Sequence, residues 1–201
     1  MERKHEKYER LIARCKELAP ATTAVAHPCD ESSLRGAVEA AELGILQPIL
    51  VGPRAKIEAV AAQAKLDISG YELVDAPHSV AAAEAAVQLV REGRAELLMK
   101  GSLHTDELMG AVVKSATGLR TSRRISHCFI MDVPRLDRAI FVTDAAINIF
   151  PTMEDKMHII QNAIDLAHSL GNEKPKVAIL SAMETINPKL QPTTEAGALC
   201  K

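Results

Sequence analysis

The sequence predicts an α/β protein built on a parallel sheet with helices on both faces. Two observations carry that expectation. Short apolar runs alternate with stretches of helical periodicity along the first half of the chain. Hydrophobic residues make up 47% of the 201 residues, but aromatics only 2%, with no Trp. The core must therefore come from Ala, Val, Ile, Leu and Met, small enough to let helices lie close on a sheet.

The elements follow in order. Tyr8, Leu11, Ile12, Cys15 and Leu18 recur at helical spacing within a charged segment, so an amphipathic helix is expected over 2–18, ending near Pro20. "TTAVAH" (22–27) is β-rich and stops at Pro28. A helix follows over 30–44, with Asp30 as N-cap and Gly44 at the C-terminal end. "QPILVG" (47–52) is an apolar strand. The next helix, 53–66, has Pro53 in its first turn, where a missing N–H costs nothing. "YELVDA" (71–76), a helix over 79–94 and "AELLMKG" (95–101) complete four strands separated by helices. That is the grammar of βαβ units, whose strands are covered on both faces.

After a short helix near 105–115 the grammar changes. "RRISHCFIMDV" (123–133) and "RAIFVTDAAIN" (138–148) are strand candidates separated by "PRLD", either a hairpin or a strand passing between subdomains. A long helix over 153–170, a strand "PKVAILSA" (175–182), and a Pro- and Thr-rich loop leading into a last helix follow. A subdomain boundary is expected at 132/133, giving a first α/β subdomain over 1–132 and the start of a second over 133–201.

Charge and composition exclude several classes. The formal net charge is −2, and few aromatics are available for stacking bases, so no nucleic-acid partner is expected. No uncharged run is long enough to span a bilayer, and "MERKHEKYER" has no signal-peptide core, so a cytoplasmic protein with no membrane partner is expected. Cys15, Cys29, Cys128 and Cys200 are scattered without ligand spacing and are read as reduced packing thiols, with no metal site.

Four stretches carry chemistry. "KGS" (100–102) ends a strand and opens a helix. Gly101 permits a tight turn and close backbone approach to a ligand, Lys100 adds charge, and Ser102 or Thr105 either caps the helix or meets an anion. The bland alternative is a capped helix with a solvent lysine. "GLRTSRR" (118–124) holds Arg120, Arg123 and Arg124, whose planar forks match phosphate or carboxylate; otherwise it is a solvated loop. In "FVTDAAIN" (141–148), Thr143, Asp144 and Asn148 follow a strand. Asp144 is either an orienting or acid/base carboxylate, or an Asx turn or helix cap. "AHPCDESS" (26–33) is either a further anion contact or a capped turn.

Together, "LMKGSLHTDELMGAVV", "GLRTSRRISHCFIMDVP", "TDAAINIFPTMEDK" and "PKVAILSAMETINPK" resemble the phosphate acetyl/butyryltransferase family. The resemblance is strongest to the phosphate acetyltransferase portion of bifunctional enoyl-CoA hydratase/phosphate acetyltransferase proteins, without the hydratase half. It covers nearly the whole chain from about residue 8. It implies a three-layer sandwich of the isocitrate/isopropylmalate dehydrogenase type, with two α/β subdomains and an active site in the cleft between them. It further implies reversible acyl transfer from acyl-CoA to inorganic phosphate in a homodimer or larger homo-oligomer. No metal or cofactor is needed, and coenzyme A is substrate or product. Arg120 matches the family's phosphate-binding arginine. Asp144 would orient an arginine or temper its charge. Lys100, Gly101, Ser102, Thr105, Arg123, Thr143 and Asn148 would line the same cleft. The family pattern continues past Lys201 through a Ser-Arg segment and an aspartate linked to catalysis, so the chain is read as an N-terminal portion with its second subdomain incomplete. It is expected either to turn over or to bind CoA and phosphate without turnover. An NAD- and metal-dependent decarboxylating dehydrogenase is disfavoured, because there is no aspartate cluster at Asp144 and no G-x-G-x-x-G after the first strand.

Overall fold

A computed structural model describes residues 5–200. The chain divides into two compact units, one over Tyr8–Arg120 and one comprising, among the described residues, 121–200 with 5–7. The division falls within helix α1 (Glu6–Cys15); residues 2–4 of the helix expected there lie outside the described residues. A cut at 132/133 would separate the paired strands of one ladder, whereas the division before Thr121 keeps them together.

The first unit is a parallel sheet. Strands β1 (Ala21–Ala26), β2 (Leu46–Gly52), β3 (Glu72–Asp75) and β4 (Leu97–Lys100) lie in the order β3-β2-β1-β4. Side chains alternate across a strand, and the sequence fills both faces. Ala24, Ala26, Ile49 and Val51 pack with Ala82, Ala83, Ala86 and Val87 of α4 (Ser79–Arg91) and with Leu108 and Ala111 of α5 (Thr105–Val112). Val25 and Leu50 point the other way, onto Leu34 and Ala37 of α2 (Glu31–Glu42) and Ile57 and Ala61 of α3 (Arg54–Ala64). This is the expected three-layer arrangement. Burying a side chain such as Leu50 or Ile57 stabilises by about 1.5–3 kcal/mol. The helix stops follow local chemistry: Asp30 caps α2, and Gly44 leaves it at φ 73°.

The sheet order has a consequence for the site. From β1 the chain steps outward through β2 to β3, then α4 carries it back to β4 on the other side of β1. The order therefore switches direction between β1 and β4, and in open α/β sheets ligands bind in the crevice beyond the strand ends at such a point.

The second unit contains the antiparallel pair β5 (Cys128–Met131) and β6 (Ile140–Thr143), registered Cys128 to Thr143 and Met131 to Ile140. The hairpin alternative is thus the correct one, and both strands are shorter than the expected runs. Lys7 bridges to Asp132 at 2.9 Å within this unit. Helix α6 (Met153–Ser169) carries a Thr152/Asp155 capping box, and α7 (Gln191–Leu199) has Pro in its first turn. The strand expected over 175–182 joins no ladder among the described residues. A strand needs a neighbour's N–H and C=O groups, and Leu180 is 87% exposed. Among the described residues, no helix is long and apolar enough to cross a membrane.

Candidate functional site

The rim beyond β1 and β4 is built from backbone first. Ala26, the last residue of β1, pairs with Lys100, the last of β4. The Gly101 N–H donates to the Ala26 carbonyl at 2.9 Å, and the Ser102 N–H to the His27 carbonyl at 2.9 Å. A Cβ on Gly101 would stand 2.4 Å from the Ala26 oxygen and 2.5 Å from the His27 oxygen. Glycine is therefore required at 101 so that β4 can turn against β1. The Ser102 hydroxyl closes the same loop. It accepts from the Cys29 N–H at 3.1 Å, donates to the His27 carbonyl at 3.0 Å, and lies 3.4 Å from His27 Nδ1.

Neither Ser102 nor Thr105 caps α5. His104 stands at the N-cap and Thr105 is the first helical residue. The Glu107 carboxylate accepts from the His104 N–H at 2.8 Å and from the Ser79 hydroxyl at 2.6 Å. Those two bonds, Ser79 first, hold it below the usual glutamate range. At the start of α2, Asp30 accepts from the Ser33 hydroxyl at 2.5 Å and the Ser33 N–H at 2.8 Å. These bonds hold it below the usual aspartate range, with smaller help from Lys100 and His27. Both helix N-termini at this rim are thus met by the chain's own carboxylates. Lys100 adds a cation there, exposed, with Nζ 3.3 Å from the Gly101 carbonyl. Arg120, at the end of this unit, is exposed and makes no side-chain hydrogen bond or ion pair among the described residues.

The second unit gathers a different cluster. Thr143 ends β6 and donates to the His127 carbonyl at 2.6 Å. Asp144 is saturated with donors. Oδ1 accepts from the N–H groups of His127 (3.2 Å), Ala146 (3.2 Å) and Ile147 (3.1 Å). Oδ2 accepts from the Asn148 N–H at 3.1 Å and from the Asn148 side-chain amide. Burial pushes the carboxyl up, but the Ile147 N–H, the Asn148 amide and the Ala146 and His127 N–H groups outweigh it and hold the group below its usual range. The Ala146 and Ile147 N–H groups close an Asx turn on the Asp144 carboxylate.

The turn has an outlet. The Asn148 side chain also donates to the Ile125 carbonyl at 3.0 Å, and its Oδ1 accepts from Arg124 Nε at 2.9 Å. The Asp144–Asn148 hydrogen bond is thus continued to one guanidinium, that of Arg124. Its backbone is pinned as well: its N–H donates to His158 Nδ1 at 3.1 Å, and its carbonyl accepts from Asn162 at 2.9 Å. Asp155 lies 3.5 Å from Nε. Neither terminal guanidinium nitrogen of Arg124 has a partner among the described residues. Arg123 is instead drawn onto α6, where it pairs with Asp165 and lies 3.4 Å from Asn162 Oδ1. The basic segment announced three arginines; two adjacent residues of one type gave no sign of which is aimed.

No group of three or more His, Cys, Asp or Glu side chains among the described residues is placed to hold a metal. The four thiols are free. Burial pushes Cys29 and Cys128 up, away from nucleophilic thiolate.

Residues 79–201 match the family described as phosphate acetyl/butaryl transferase, and the chain belongs to that family. It is 64% identical, over 97% of its length, to a phosphate acetyltransferase of Rhizobium meliloti, of which it spans 62%. It is 39% identical, over 96% of its length, to a phosphate butyryltransferase of Clostridium beijerinckii, of which it spans 64%. Among solved structures it resembles a branched-chain phosphotransacylase from Enterococcus faecalis V583, with a TM-score of 0.73 and 28% identity, covering 89% of this chain and 62% of that one.

Proposed function

We propose that the protein of which this chain forms all or part transfers an acyl group reversibly from acyl-CoA to inorganic phosphate, giving acyl phosphate and CoA. The observation that carries the reading is the 64% identity to a phosphate acetyltransferase across 97% of the chain. In the forward direction a phosphate oxygen attacks the thioester carbonyl, the C–S bond breaks, and CoA leaves as a thiolate that takes up a proton. The protein's task is to hold a dianion beside an electrophile and to meet the charge that grows on the carbonyl oxygen.

Arg120 binds phosphate in this reading, and Lys100 supports the charge. Ser102 holds the loop beside Lys100, and Gly101 and Thr105 shape its approach. Arg123, Thr143 and Asn148 belong to the substrate-binding set, and Asp144 acts by orienting rather than by transferring a proton. Acetyl and butyryl groups are both candidates, because one methylene shifts preference by only about 1–3 kcal/mol. CoA is substrate and product, no other cofactor is required, and a cytoplasmic homodimer belongs to the same reading. A second reading is CoA and phosphate binding without turnover; the chain spans 62% of the length of its phosphate acetyltransferase relative.

Thiol release from acetyl-CoA and butyryl-CoA, with and without phosphate, decides between them. Phosphate-dependent release supports acyl transfer; binding of both ligands without release supports the second reading. In an active form, Arg120→Ala raises the KM for phosphate and lowers kcat, by about 100-fold or more if the side chain meets the transition-state charge. Unchanged phosphate kinetics would remove Arg120 from the site.

A further inference from the structure

Among the described residues two non-glycine residues have positive φ, Lys65 at 54° and His27 at 55°. Lys65 ends α3, where a left-handed residue is a common helix stop. His27 ends no helix. It is the first residue beyond β1, at the point where the strand order switches direction. L side chains are disfavoured in that backbone region, and such conformations persist where the surroundings over-determine them.

The surroundings here do so through bonds to the His27 backbone. The His27 N–H donates to the Val51 carbonyl at 2.7 Å. Its carbonyl accepts from the Ser102 N–H at 2.9 Å, the Cys29 N–H at 2.8 Å and the Ser102 hydroxyl at 3.0 Å. A glycine would make every one of these bonds without the steric penalty. The loop therefore explains the conformation and leaves the imidazole unexplained. The ring is placed by its neighbours: Nδ1 lies 3.4 Å from the Ser102 hydroxyl, and Cδ2 would stand 3.7 Å from a Cβ on Gly52, at the end of β2. Among the described residues Nε2 has no hydrogen-bond partner.

We propose that His27 is a ligand-contacting residue at the β1/β4 crevice, where Nε2 donates to a phosphate oxygen and Lys100 supplies the charge. With its one proton given to the His27 carbonyl, the Ser102 hydroxyl leaves either tautomer open, and the one protonated at Nε2 has a donor to offer a phosphate. The acids nearest this rim do not compete for it, because Asp30 is engaged by Ser33, and Glu107 by Ser79 and the His104 N–H. The backbone N–H groups of Gly101, Ser102 and Cys29 are already used, so recognition of the phosphate falls to side chains. The choice of phosphate as ligand rests on the acyl-transfer reading. The phosphate is either the inorganic ion or one of the phosphates of CoA, and the same chemistry serves both.

The test is a phosphorus NMR titration of inorganic phosphate and, separately, of CoA against the 201-residue chain, His27→Gly and His27→Asn. Glycine and asparagine both tolerate the left-handed conformation, so both variants keep the loop. The expected result is at least about tenfold weaker binding of one ligand in both variants, with the Tm of His27→Gly equal to or above that of the parent. Loss in the phosphate arm identifies the seat of the inorganic ion; loss in the CoA arm identifies a CoA phosphate. Binding of both ligands within about twofold of the parent, in either folded variant, overturns the assignment of His27 and leaves the acyl-transfer reading standing. A parent chain that binds neither ligand overturns the assignment of His27 and, with it, the reading of CoA and phosphate binding without turnover.

Discussion

The two units of the chain hold their polar clusters in opposite ways. In the parallel-sheet unit the scaffold is closed: Val25, Leu34, Leu50, Val51 and Ile57 are fully buried, on both faces of the sheet. Its rim is assembled by backbone bonds between β1 and β4, with the Ser102 side chain tying them. In the hairpin unit few side chains are buried, Ile159, Ala167 and Thr193 among them, while Ile149, Phe150 and Leu180 are more than four-fifths exposed. Order there comes from a polar relay, Asp144 to Asn148 to Arg124. One unit positions groups by packing and the other by hydrogen bonds, and the two modes fail differently.

The largest difference is expected in the cores. Leu50→Ala removes a fully buried side chain between two layers and should cost about 2–5 kcal/mol, read from chemical denaturation. Phe150→Ala removes a larger side chain that is 93% exposed, and should change stability by no more than about 0.5 kcal/mol. A comparable loss in the two variants would break the contrast, because it would mean that Phe150 is covered in solution.

A second contrast sharpens the reading of the rim. Gly101→Ala forces a Cβ onto two carbonyl oxygens and should destabilise by about 1–3 kcal/mol. Gly110→Ala, inside α5 with nothing within 4 Å of the added atom, should stabilise by up to about 1 kcal/mol. If Gly101→Ala were as stable as its parent, the close approach of β4 to β1 would be wrong.

The same contrast explains what could be read from the chain in advance. The strands and helices of the first unit were legible because local propensity, apolar runs and caps such as Asp30 agree with the layers they enter. The strand expected over 175–182 has the right composition, but pairing is a property of two strands and cannot be read from one. The site was legible as residue types and not as roles. Ser102 looks like a cap because a helix follows, yet His104 intervenes and Ser102 turns back to His27. Asp144 stayed ambiguous until its donors, three on Oδ1 and two on Oδ2, were placed around it. "AHPCDESS" (26–33) marks its turn as a candidate anion contact, but nothing in it singles out His27, which only the strand order puts beside Ser102.

The relay in the hairpin unit predicts an acid response. Asp144 is held below its ordinary value of 3.8, so ionisation favours the folded turn. The stabilisation is whole above the unfolded aspartate range and is lost as pH falls through the lower folded value. In NMR titration the amide resonances of Ala146, Ile147 and Asn148 should move together with a midpoint below 3.8. Asp144→Asn should abolish that step. A midpoint at or above 3.8 would mean that burial outweighs the donors, and the turn would not be held by charge.

The smallest stability effect separates the two adjacent arginines. Arg123 forms an exposed ion pair with Asp165, so Arg123→Ala should cost only about 0.2–1 kcal/mol. Arg124→Ala should cost a similar amount, since its bonds to Asn148 and Asp155 are also at the surface. Stability therefore does not distinguish them; ligand binding does. An arginine pinned at its N–H, its carbonyl and Nε, with both terminal nitrogens open, has already lost the side-chain freedom that anion binding would otherwise cost. Arg124→Ala should weaken phosphate or CoA binding more than Arg123→Ala, and Asn148→Ala should follow Arg124→Ala in binding while leaving the guanidinium in place. If Asn148→Ala bound both ligands as the parent does while Arg124→Ala did not, Arg124 would need no aiming, and the Asp144 turn would be a fold element alone.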